Sequence, residues 1–317
     1  MKKVDLRPQV SIIKDKNPEK AVRKAIKLIG GIKSFIKPGE KVFLKPNLCT
    51  LKKSETGATT DPKLVGAIID LVHEYTNDIS IIESDCPAID TEIIWSHCGF
   101  KDLAKEKNVD LINLSKEQVV NYYEYRLPKI LFEDATLINI PKMKTNDITT
   151  ISCSLKNLFG LIPNRNRAKY HKEIDKTIVD LNSIFQPKLI VVDGLIGMEG
   201  HGPITGIPIE MNTIIAGNNQ VAVDGTVCAL MGVKFQDISH IKMAIDAGLG
   251  PLDMDSIDLY GEKINDVMKK FVLPSRIKFK NKLKYKLLES SEKPFLKQAV
   301  NSLGWMRRKK YSELIKK

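Results

Sequence analysis

Short aliphatic runs alternate with longer amphipathic stretches along most of the chain. Lys41-Val42-Phe43-Leu44 reads as a buried strand ending in Lys45-Pro46-Asn47, and Ile79 to Ile82 as the next, ending in Glu83-Ser84-Asp85. Further strands are expected at Leu111 to Leu114, Ala135 to Ile140, Leu189 to Val192, Thr213 to Ala216 and Ser256 to Tyr260. Ala21, Val22, Ala25, Ile26 and Ile29 recur at helical spacing and predict a helix over Glu19 to Phe35, with Pro38-Gly39 as punctuation. Asp61-Pro62 supplies an N-cap and a first-turn proline, opening a helix through about Tyr75. Helices are also expected at Thr91 to Cys98, Ile174 to Ile184, Ala222 to Met231 and Ile238 to Ala247.

Strand, loop and helix in repeated alternation predict an α/β fold, with a largely parallel sheet and helices on both faces. Aromatics make up only 6% of the chain against 43% hydrophobic residues, so aliphatic side chains must fill the core, as buried parallel strands require. Sheets of this kind bind ligands at the carboxyl ends of their strands. The polar signatures of this chain fall at those ends.

Four clusters carry the candidate chemistry. The first joins Lys45 and Asn47 to Thr59, Thr60 and Asp61, where a helix N-terminus could present backbone N–H groups to an anion; a solvated turn with a helix cap explains the same residues as well. In the second, Lys142, Lys144 and Thr145 end a strand and a Ser/Thr-rich run leads to Lys156 and Asn157, with His171 further on as a titratable group. Lysines with hydroxyls between apolar segments suit phosphate or carboxylate groups. The third is Asp193 at a strand end, followed by a glycine-rich stretch with Glu199, Gly200, Gly202 and Gly206. Glycines there allow close backbone approach to a ligand, and the spacing is neither a Walker loop nor a dinucleotide fingerprint. The fourth is Asp224 near a helix start, which either serves the helix dipole or joins Asp193 and Glu199 in binding a divalent metal or moving protons. In the catalytic reading Lys144, Asp193, Glu199 and Asp224 do the chemistry, and the other residues bind the ligand.

Charge and cysteine content narrow the classes. The net charge is +12, yet residues 274–317 hold 14 Lys and Arg against 3 Asp and Glu, so the body over 1–273 is close to neutral. Whole-chain basicity is therefore no argument for nucleic acid. The tail alternates basic and apolar residues through Arg276 to Leu287, then Leu296, Val300, Leu303 and Trp305 precede Arg307-Arg308-Lys309-Lys310. Such a segment suits an anionic membrane surface or RNA, or packs on the body with its lysines in solvent. Cys49, Cys86, Cys98, Cys153 and Cys228 are scattered with no C-x-x-C pair, as expected of reduced thiols; Cys153 stands inside the richest motif. No apolar stretch reaches the roughly 18 residues of a membrane span, and the N-terminus lacks the apolar segment of a signal peptide. The expected location is cytoplasmic, with membrane contact only at the periphery.

Six segments in order, LKPN (44–47), TTDP (59–62), IPKMKT (140–145), SLKNLFGLIP (154–163), VVDGLIGMEGHGP (191–203) and VAVDG (221–225), resemble domain-of-unknown-function family 362. The resemblance runs from about Val42 to Gly261. It implies an iron–sulfur association, since many members carry ferredoxin-type modules. This chain lacks the clustered cysteines, which argues against a cluster within it and leaves a separate ferredoxin-type partner as the implied alternative. Asn146 stands where the family more often has His after Lys-Thr. The element order is also similar to the N-terminal domain of lactate-racemase-like proteins, which would favour small carboxylates. The leading expectation is an enzyme or binding protein for a small anionic metabolite. A redox accessory protein and a membrane- or RNA-docking protein are the alternatives.

Overall fold

The computed structural model describes residues 7–86, 89–163 and 167–274. Its strands are β1 (Gln9–Lys14), β2 (Lys41–Pro46), β3 (Ile79–Glu83), β4 (Asp110–Asn113), β5 (Val119–Tyr122), β6 (Tyr125–Pro128), β7 (Ala135–Ile140), β8 (Lys142–Asn146), β9 (Thr150–Ser152), β10 (Leu189–Glu199), β11 (Ile207–Gly217) and β12 (Asp258–Gly261). Its α-helices are α1 (Pro18–Leu28), α2 (Pro62–Val72), α3 (Thr91–His97), α4 (Phe100–Lys107), α5 (Ser154–Asn157), α6 (Ile174–Ile184), α7 (Gln220–Leu230), α8 (Ser239–Asp246) and α9 (Ile264–Val267).

The fold is α/β with a mostly parallel central sheet flanked by helices, as the alternation predicts. The main path runs β12-β1-β11-β10-β7-β2-β3-β4, and only β11 opposes the common direction. One core, with Val42, Leu44, Ile81, Ile138 and Val191, lies under the buried faces of α1 to α4. The other, with Phe43, Ile82, Ile190, Val192 and Ile215, lies under α5 to α8. Alternate residues of single strands serve opposite cores, as the two-residue period of a strand demands.

Local chemistry sets the helix starts. Asn17 and Asp61 both accept a backbone N–H two or three residues on, each followed by proline at the first helical position. The helix expected to run to Phe35 stops at Leu28, because Gly30 and Gly31 take φ of 102° and 77° and turn the chain out of the helix.

Two strands differ from expectation in ways that matter for the site. Lys142 and Lys144 do not end a strand: after Pro141 the chain resumes as β8, which pairs with β10 and aims both lysines inward. Likewise β10 continues past Asp193 through Glu199, paired with a long β11, so Gly194 and Gly197 are strand residues while Gly200, Gly202 and Gly206 lie in the loop joining the two strands. Apolar periodicity marks neither continuation, since both are polar or glycine-rich and are buried by neighbouring backbone.

Strands β2, β3 and β4 step outward in one direction, whereas β7 and β10 lie on the other side of β2. The order reverses between β2 and β7. At that point the crossover containing α2 covers one face and the chain after β7 covers the other, opening a crevice at the strand ends.

Candidate functional site

The residues at this reversal come from three carboxyl ends. Lys45, 1% exposed on β2, gives its ammonium to Glu83 Oε2 at 2.7 Å and to the Pro46 carbonyl at 2.8 Å. Glu83, the last residue of β3, also accepts the N–H groups of Leu48 and Ser84. A Cβ on Gly160 would lie 2.9 Å from both Lys45 Nζ and Glu83 Oε1, so a side chain there would have to displace the ion pair that this segment closes over. Asn157 crosses the crevice, donating to the Lys45 carbonyl and to Asn139 Oδ1 on β7 while accepting from Asn47 Nδ2 at 2.9 Å.

Beside this scaffold lies a cavity of about 100 Å³, lined by Asn47, Cys49, Glu83, Cys86, Lys156, Phe159 and Arg167 among others. Lys144 stands just behind it. Its buried ammonium donates to Asn47 Oδ1 and the Ala58 carbonyl, both at 2.7 Å, and approaches Cys49 Sγ at 3.4 Å. With the Pro203 carbonyl at 3.4 Å, its four partners are uncharged oxygens or a thiol, and burial pushes the Lys144 pKa down. Lys156 lies with its amino group 5.3 Å from the centre of the Phe159 ring. Burial lowers its pKa to about 8, and the neighbouring charges of Lys144 and Arg167 push the same way. Arg167 donates to the carbonyls of Phe159 and Asp85. Among the described residues, no carboxylate lies within ion-pair distance of Lys144, Lys156 or Arg167. Lys156 and Arg167 thus line a small cavity with Lys144 behind it, and the one acid among its described lining residues, Glu83, is already held by Lys45.

The remaining predicted residues divide between the walls and more distant parts of the fold. Lys142 forms a buried ion pair with Asp193 at 2.8 Å, and Asp193 also accepts the N–H groups of Asp61 and Leu195. Asp61 caps α2, and its pKa is raised by burial and by the Asp193 charge. Thr60 accepts from the Asn47 N–H and donates to the Ile140 carbonyl, and Thr59 donates to Lys52. Thr145 holds the Gly200 carbonyl at 2.8 Å. A Cβ on Gly202 would come within 1.9 Å of the Thr145 carbonyl oxygen, and one on Gly206 within 2.2 Å of the Glu199 oxygen. These glycines therefore serve close backbone contact in the fold. Glu199 accepts the Val272 N–H. Asp224 accepts the N–H groups of Ser154 and Leu155 at the start of α5, where burial raises its pKa to about 7. Asp193, Glu199 and Asp224 are not brought together, and no group of three His, Cys, Asp or Glu among the described residues is placed to hold a metal. Asn146 fixes the β8–β9 turn by accepting from Ile148 and Thr149. His171 packs in a T-shaped contact with Phe159 and holds the Arg167 carbonyl through Nδ1, but does not itself line the cavity.

Sequence reasoning missed Glu83, Cys49 and Arg167. Glu83 and Cys49 had a legible signal, since each follows a buried strand that ends in polar residues. Arg167 had none, because its approach depends on the path of the chain after α5. Cys153, which the motif singled out, is buried beside Asp224 and its thiol is pushed well up by desolvation. Burial likewise raises Cys86 to about 12 and Cys98 to about 11.

The family model for a domain of unknown function, DUF362, matches residues 42–229. The chain belongs to the DUF362 family. That span includes every residue around the cavity. A relative named thylakoid-associated protein, from Synechocystis sp., is 26% identical over 243 residues, covering 73% of this chain and 75% of the relative. Among solved structures, the lactate racemase apoprotein from Thermoanaerobacterium thermosaccharolyticum aligns with a TM-score of 0.47 and 9% identity. That alignment takes in 71% of this DUF362 chain, which spans only 57% of the racemase chain. In this DUF362 protein no helix among the described residues is long and apolar enough to cross a membrane. The basic segment expected to bind membrane or RNA lies, beyond Pro274, outside the described residues.

Proposed function

We propose that this protein binds and acts on a small carboxylate- or phosphate-bearing metabolite in the cavity at the β2/β7 reversal. The observation that carries the reading is charge without a counter-charge: Lys156 and Arg167 line the cavity, Lys144 stands behind it, and no described carboxylate pairs with them. Desolvated cations are costly unless an anion compensates them. A bound anion would supply that compensation. The volume favours small ligands, because an apolar cavity of about 150 Å³ is what accommodates benzene, and this one is about 100 Å³.

Calorimetric titration with phosphate, lactate and oxalate tests this reading. At least one should bind to the wild-type protein, and Arg167→Met should weaken it at least about tenfold, the loss of one charge-assisted contact. Equal affinities for the two proteins would remove the site.

Peripheral contact with an anionic membrane through 274–317 is a second reading. It is supported by the 14 basic against 3 acidic residues of that segment and by the name of the Synechocystis relative. Sedimentation with phosphatidylserine vesicles should fall to background on deletion of 275–317 and at high salt. Binding that survives the deletion refutes it.

A further inference from the structure

We infer that Lys156 forms a covalent imine with the carbonyl carbon of a small 2-oxo acid whose carboxylate is held by Arg167. This rests on the proposed anion site and names its substrate class. Phe159 packs near the Lys156 amino group, and among the described residues that group has no hydrogen-bond or ion-pair partner. It lines the same cavity as Arg167 and Cys49, while Lys144 reaches Cys49 from behind. An amine with no partner, facing a cavity bordered by cations, meets the two requirements of an imine-forming lysine. It is available as the free base, and it has an anion-binding group beside it to place the carbonyl. The other lysines here fail one requirement or the other. Lys45 and Lys142 are locked to carboxylates, and Lys144 is tied to the Asn47 and Ala58 oxygens.

The step balances without an oxidant. The free amine of Lys156 adds to the carbonyl carbon and the two amine hydrogens leave with the carbonyl oxygen as water, giving a C=N bond. One proton taken up from solvent makes the iminium. The lowered pKa of Lys156, about 8, supports the inference: near pH 7.5 such a lysine carries roughly two orders of magnitude more free amine than an ordinary one.

The test is reductive trapping. Full-length protein is incubated with pyruvate and sodium cyanoborohydride at about pH 7.5, and the adduct is located by peptide mass mapping. The expected result is a gain of one pyruvic acid less one oxygen atom on Lys156, at least about tenfold above any exposed lysine. Lactate, which has the carboxylate without the carbonyl, should protect Lys156. Acetaldehyde, which has the carbonyl without the carboxylate, should label it no better than exposed lysines. Lys156→Arg keeps the charge and should lose the adduct. Uniform labelling of surface lysines, or equal labelling of Lys156 by acetaldehyde, overturns the inference. If lactate binds the wild-type protein and no adduct forms at Lys156, the imine fails while the anion site stands. If no adduct forms and none of lactate, phosphate and oxalate binds, both fail.

Discussion

Replacing Asp193 with alanine is expected to destabilise the protein by about 3–5 kcal/mol, the usual cost of breaking a buried ion pair by removing one partner. The urea midpoint of the purified variant reads this directly. The size follows from what remains. Lys142 Nζ has Asp193 as its hydrogen-bonded partner and is 1% exposed, so its ammonium would be stranded. The N–H groups of Asp61 and Leu195 also lose their acceptor, so the start of α2 is loosened. Lys142→Met should be milder, since the carboxylate keeps those two backbone donors. The double replacement Lys142→Met with Asp193→Leu should recover part of the loss by removing both charges. A Lys142→Met variant as unstable as Asp193→Ala would sink this account.

The same pair shows where the sequence was legible and where it was not. Asp193 was visible as a polar residue beside a buried run, and Lys142 as one beside another. Their 2.8 Å contact was invisible, because it depends on β8 resuming after Pro141 in parallel register with β10. The apolar runs did reveal the parallel sheet and most of its strands, since the central ones are buried on both faces. They could not reveal β8 or the second half of β10, where lysines, threonines and glycines are buried by hydrogen bonds instead of apolar contact. Among the clusters, Lys144, Lys156, Asn47 and Asn157 do converge at the strand ends. Asp224 and Glu199 do not, since a carboxylate before a helix and one ending a strand satisfy backbone N–H groups equally well.

Replacing Lys156 with methionine should raise the stability of the ligand-free protein while abolishing anion binding. Methionine keeps the stem that packs by Phe159 and removes an ammonium that burial and the neighbouring cations disfavour. The sign follows from the titration. A lysine whose folded pKa is about 8, against 10.5 in the unfolded chain, weakens the folded state fully below pH 8. Between these two values the unfolded chain binds more protons, so the stability of the native sequence rises with pH and the penalty fades. Lys156→Met should therefore be the more stable protein at pH 6.5, by on the order of 2 kcal/mol, a large but ordinary single-site effect. The two proteins should converge towards pH 10. Saturating anion should reverse their order, because only the native lysine gains from the ligand. A methionine variant less stable at pH 6.5, or a gap that does not change with pH, would mean that Lys156 already finds its compensation within the fold. The case for an anion at the β2/β7 reversal would then lose its energetic basis.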